Sequence, residues 1–90
     1  MTDNQTVNAF ETADGCGQRL RQAREAAGLT LDDVAQRLRM PAQVVRSLEE
    51  EQWQRLGAPV FVRGQLRSYA RLVGVDVGQV LEQAQVGPIV

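Results

Sequence analysis

The 90-residue chain has no histidine, no lysine and a single cysteine, Cys16. Without histidine, a Cys–His catalytic pair cannot form and the commonest metal ligand is missing. One cysteine excludes an internal disulfide, in keeping with a reducing compartment. Cys16 itself is expected to be a small surface or half-buried residue ahead of Gly17. No apolar run approaches the ~18 residues of a membrane helix, and the polar, acidic start MTDNQTVNAFETADG lacks the basic and apolar parts of a signal peptide. The chain therefore reads as cytoplasmic. No metal-ligand spacing and no phosphate-binding loop is present. The acids fit surface or capping roles, so an enzyme is not expected, nor any cofactor or metal.

What is there suits one small soluble domain, with 43% hydrophobic residues and a net charge of −1. Residues 1–14 carry Asp3, Glu11 and Asp14 and no base; they show no helical or strand period and read as a mobile acidic tail. The remainder holds ten Arg against eight acids, an excess of +2 that is too small to indicate nucleic-acid binding. The use of Arg alone suits bidentate contacts, but a GC-rich genome would produce the same bias.

Five helices follow from the apolar periodicity. The first spans 17–27, with Leu20, Ala23 and Ala27 inward and Arg19, Arg21, Arg24 and Glu25 outward. Gly28 is placed to cap it in the left-handed conformation, with Leu29 making the accompanying apolar contact. Thr30 caps a second helix over 31–39, whose inward residues are Leu31, Val34, Ala35 and Leu38. Its capping-box acid is Asp33 rather than Glu, so a weaker return bond is expected. Pro41 suits the first turn of a third helix over 41–50, with Val44, Val45 and Leu48 inward and Gln43, Arg46, Ser47 and Glu50 outward. Trp53 and Leu56 are expected to pin the connector. A fourth helix spans 59–73 and a fifth 76–85, with Gly74 and Asp76 as caps between them. Residues 87–90 read as the start of a linker. The architecture is an all-α, five-helix bundle containing a helix-turn-helix, similar to phage-repressor-type DNA-binding domains.

The fourth helix has more kinds of surface than a core helix needs. At about 100° per residue, Val62, Leu66, Tyr69, Ala70 and Val73 share one arc wide enough to bury. Arg63, Arg67 and Arg71 form a basic stripe, and Phe61 and Gln65 lie on the other flank. Tyr69 reads as core with its hydroxyl at the edge. Phe61 admits two readings: an exposed anchor for a partner, or a hydrophobic staple folded onto Leu56 or Trp53 across the Pro59 corner.

Three segments resemble the N-terminal cytoplasmic domain of the RodZ family of bacterial cell-shape proteins. They are GQRLRQAREAAGLTLDDVAQRLRMP at 17–41, SLEE at 47–50 and APVFVRGQLRSYARLVGVD at 58–76. The first is shared with repressor-type domains; the VRG-x-LRSYARL-x-G run from Val62 to Gly74 is the specific part. The resemblance covers about residues 17–81. It implies an adaptor that binds the bacterial actin MreB and couples its filaments to the inner membrane, through a transmembrane helix that would lie beyond this chain. The family's MreB contact lies on the fourth helix, with aromatics at the positions of Phe61 and Gln65. Phe61 keeps that pattern and Gln65 departs from it. Glu51 departs as well, standing where the family often has glycine. The expected partner-binding residues are Phe61, Arg63, Gln65 and Arg67.

The alternative is a sequence-specific DNA-binding regulator reading bases with Gln43, Arg46 and Ser47 of the third helix. Glu49, Glu50 and Glu51 at the end of that helix oppose the phosphate electrostatics on which DNA affinity depends.

Overall fold

The computed structural model describes residues 15–84. The acidic segment 1–14 and the linker start at 87–90 lie outside the described residues. Among the described residues there are five α-helices, α1 Cys16–Ala26, α2 Leu31–Leu38, α3 Ala42–Glu49, α4 Pro59–Val73 and α5 Val77–Ala84, with a 3₁₀ turn at Trp53–Arg55 between α3 and α4. No strand occurs among the described residues.

The expected caps form. Gly28 has φ +75°, and Leu29 N–H donates to the Arg24 carbonyl (3.1 Å) while Gly28 N–H donates to that of Glu25 (3.0 Å). This is a Schellman closure of α1. At α2, Asp33 N–H donates to the Thr30 hydroxyl (3.0 Å) and Thr30 N–H donates to the Asp33 carboxylate (2.9 Å). The return bond is as short as the forward one, so the shorter acid does not weaken the box. The Thr30 backbone and hydroxyl together hold the Asp33 carboxyl below its ordinary 3.8. A depressed carboxyl stabilises the fold above its unfolded pKa and loses that contribution as pH falls through the folded value. An acid titration of Asp33→Asn is expected to lack this part of the stability loss below about pH 4. Pro41 sits just outside α3 as its extended N-cap, and the Asp76 carboxylate accepts from Gln79 N–H (2.9 Å) at the start of α5.

Helix α4 lies against α1, α2 and α5, and α3 closes on α1 and α2. Val62, Leu66, Tyr69 and Ala70 of α4 are buried with Leu20, Val34, Val45, Leu48, Val80 and Ala84. Each Val or Leu removed from water in this way stabilises the fold by about 1.5–3 kcal/mol. Trp53 and Leu56 are half-buried against this core, as expected for pins.

Four residues sit otherwise than the periodicity implied. Cys16 is fully buried rather than at the surface or half-buried, and burial, followed by the nearby Glu51 carboxylate, pushes its thiol up to about 12. Such a thiol is inert at neutral pH. Arg24 is buried, not outward, whereas Ala27 is exposed. The inward face of α1 is thus Cys16, Gly17, Leu20 and Arg24. Ser47 is buried as well, in the last turn of α3, which closes where Gln52 N–H donates to the Ser47 carbonyl (2.9 Å).

Arg24 is tolerated inside because each of its donor groups has an acceptor. Its Nε donates to Glu49 Oε2 (2.6 Å), Nη2 to Glu49 Oε1 (3.3 Å) and Nη1 to the Leu29 carbonyl (2.9 Å). The Tyr69 hydroxyl donates to the same Glu49 carboxylate. One carboxylate therefore ties α1, α3 and α4 together. Burial, and after it the bond to Glu49, raises the Tyr69 hydroxyl far above its ordinary value, so it remains a donor.

Glu51 follows in the left-handed conformation, with φ +58°. Its carboxylate reaches 34 residues back and accepts from Gly17 N–H (3.1 Å), capping the open start of α1. The end of α3 comes so close there that a β-carbon on residue 17 would collide with the Glu49 carbonyl oxygen. A long acid that caps a helix offsets the ~1–2 kcal/mol cost of the left-handed conformation, which gives the departure from glycine a physical reason. Glu51→Ala loses the cap and keeps the strain, whereas Glu51→Gly loses the cap and relieves it. Chemical denaturation is expected to find the alanine variant less stable than the glycine variant by about 1 kcal/mol.

Candidate functional site

Helix α4 begins at Pro59, which suits a first helical position because no N–H is needed there. Its first turn contains no acid and Ala58 supplies no side-chain cap. The positive end of the helix dipole is left uncompensated. Immediately on this turn stand Val60, 53% exposed, and Phe61, 66% exposed. They are the exposed large hydrophobic side chains among the described residues. The staple reading of Phe61 is therefore excluded: Leu56 and Trp53 pack on the core and do not cover the ring.

Rotation of about 100° per residue puts Val60, Phe61, Gly64, Arg67, Ser68 and Arg71 on one outward arc of about 120°. All but Gly64, which is half-buried, are exposed. A β-carbon added at Gly64 would meet nothing within 4 Å. The face is thus apolar at its N-terminal end, lacks a side chain one turn on, and is cationic beyond. Gly64→Ala is expected to raise folding stability by about 0.5–1 kcal/mol, because glycine inside a helix costs that much relative to alanine. Thermal unfolding checks this; a loss of stability would mean that the site is packed.

The four expected contact residues divide into two pairs. Phe61 and Arg67 stand on the open face, while Arg63 and Gln65 are half-buried at its two margins. Arg63 Nε and Gln65 Oε1 are each buried without a hydrogen-bond partner among the described residues. Such atoms cost about 1–3 kcal/mol each, so both margins of the face hold unsatisfied polarity. Sequence reading missed Val60, which lies on the side of Phe61 away from the core arc. It also passed over Gly64, whose contribution is the absence of a side chain.

Charge is more segregated than the net value suggests. Between Glu51 and Asp76 the chain carries Arg55, Arg63, Arg67 and Arg71 and no acid. Elsewhere three arginines have polar partners, Arg24 with Glu49, Arg21 with Glu25 (3.3 Å), and Arg19 with the Gln79 side chain (2.7 Å), while Arg37, Arg39 and Arg46 are exposed.

The helix-turn-helix face is altered relative to expectation in two ways. Gln43 and Arg46 are exposed, but Ser47 is buried and offers nothing to a base. Of the three carboxylates expected to oppose DNA, Glu49 is engaged by Arg24 and Tyr69 and Glu51 by the start of α1. Glu50 alone of the three is exposed. No group of three or more Cys, Asp or Glu that could hold a metal ion occurs among the described residues. No helix among them is long and apolar enough to cross a membrane.

The five helices of the described residues pack around one core with α2 and α3 as the paired elements, which defines a helix-turn-helix domain. The chain belongs to the helix-turn-helix domain family whose model matches residues 19–80. No solved structure matches it significantly. The fold is of the nucleic-acid-binding type, which other proteins use for adaptor roles.

Proposed function

We propose that the chain is a non-enzymatic adaptor domain that binds the bacterial actin MreB through the outer face of α4. In a longer protein of the kind it resembles, it would link those filaments to the cytoplasmic face of the inner membrane. The observation that carries this reading is the exposure of Phe61 (66%) beside Val60 and three arginines, on a helix with no acid of its own. Aromatic residues with arginine are the usual anchors of protein interfaces. An acidic partner surface would be steered to the stripe and its register fixed there. Membership of the helix-turn-helix family supports the reading at the level of fold, and the Val62–Gly74 resemblance supports it at the level of partner.

A second reading, recognition of DNA by α3, gains from one observation. With Glu49 and Glu51 turned to internal partners, the electrostatic objection is reduced to Glu50. Against it, the burial of Ser47 leaves Gln43 and Arg46 as base readers, too few for a specific site. Co-sedimentation of the chain with polymerised MreB, beside a duplex-DNA titration over a range of salt, separates the two. The adaptor reading expects pelleting with filaments and only weak, sequence-independent DNA binding that fades as salt rises. Sequence-selective DNA binding without pelleting would reverse the assignment.

A further inference from the structure

We propose that residues 1–14 of this same chain dock on the outer face of α4 and compete there with its partner. The argument starts from charge. Residues 1–14 hold Asp3, Glu11 and Asp14 and no base, whereas residues 52–75 hold four arginines and no acid. Those two blocks carry −3 and +4, and neither contains a charge of the other sign. The other arginines are less available to an acidic segment. Arg19, Arg21 and Arg24 already have side-chain partners, Arg37 faces the Asp33 carboxylate, Arg39 lines one concavity with Asp32, and Arg46 lies one turn before Glu50. The segment has apolar groups to offer as well: Val7 and Phe10 match the exposed Val60 and Phe61. A second copy of the domain fits this face poorly, since its own α4 would bring arginines against arginines.

Reach does not limit the contact. Fourteen residues extend to about 45 Å. Helix α1, which the segment precedes, packs directly on α4, and α4 is about 22 Å long. Tethering at this distance gives an effective concentration in the millimolar range. A contact with a millimolar dissociation constant would therefore be about half-populated. A half-blocked site doubles the apparent dissociation constant for a competitor. The competition rests on the function proposed for α4; the docking does not.

The test is built so that the two fail separately. A nitroxide is attached at Thr6→Cys of the whole chain; the buried Cys16 stays unmodified because its thiol is held up to about 12. Near 0.01 M salt, where charges act over about 30 Å, amide signals of residues 60–71 are expected to lose intensity. Near 1 M salt, with a screening length of about 3 Å, the loss is expected to vanish. It should also vanish in Arg67→Gln/Arg71→Gln, a pair of exposed substitutions. Uniform loss over all helices, loss centred on α2 and α3, or loss that survives the arginine substitutions overturns the docking. Loss on a 15N-labelled chain mixed with spin-labelled unenriched chain would assign the docked segment to another copy and overturn it equally. For the competition, Asp3→Asn/Glu11→Gln/Asp14→Asn is expected to tighten filament binding about twofold at low salt. Unchanged affinity overturns competition. If the chain fails to bind filaments at all, the function proposed above falls while the spin-label result still decides the docking.

Discussion

Glu49→Ala is expected to lower folding stability by about 3–5 kcal/mol, the usual cost of removing one partner of a buried ion pair. The carboxylate accepts from Arg24 and Tyr69, and neither can turn to water. Arg24 is 8% exposed and Tyr69 fully buried. Without Glu49, the guanidinium keeps the Leu29 carbonyl as its hydrogen-bond acceptor and the Glu25 carboxylate at 3.9 Å, and the phenol keeps no acceptor. A domain of this size has about 5–15 kcal/mol in total, so the variant should be partly unfolded at physiological temperature. Replacing the whole cluster is a different experiment. Arg24→Met/Glu49→Leu/Tyr69→Phe removes the charges and the phenol together, and its loss should fall well below that of Glu49→Ala, because nothing polar is left stranded. Urea unfolding of the two variants measures the difference. Equal losses would mean that the cluster contributes through packing rather than through its charges.

Much of the fold was legible from the sequence because its signals are local. The apolar periods of α2 and α4, glycine at positions 28 and 74, and Thr30 and Asp76 as caps each act within a few residues. The unreadable part depends on residues far apart in the chain. Arg24 looks like a solvated outward residue until Glu49, 25 positions later, is placed beside it. Ser47 lies on the outward side of α3 by periodicity and is nevertheless buried in the folded chain. Glu51 looks like one more surface acid until its carboxylate is found 34 residues away at the start of α1. These same long-range partners weaken the objection to DNA that the run of three carboxylates had suggested, since counting charges along a sequence does not tell which are already paired. The candidate site followed the same division. The angular position of Phe61 was visible in the helical period, but its exposure depended on where Leu56 and Trp53 pack.

The second large effect concerns Phe61. Truncating an exposed residue away from caps and buried networks changes folding stability by no more than about 0.5 kcal/mol. Truncating an aromatic anchor at the centre of an interface costs about 2 kcal/mol or more of binding, roughly thirtyfold in affinity. Phe61 meets the first condition by its 66% exposure. It meets the second if α4 is the contact helix, with Val60 beside it and Arg67 about one and two-thirds turns further on. The two numbers thus separate an interface residue from a core residue without reference to any other position.

The most direct measurement is a co-sedimentation titration of wild type and Phe61→Ala against polymerised MreB, with thermal unfolding of both proteins alongside. The expected result is pelleting of wild type, loss of about 2 kcal/mol of binding in the variant, and unchanged unfolding. Pelleting of both proteins with equal affinity, or of neither with competent filaments, would contradict the assignment of α4 as the MreB-binding face.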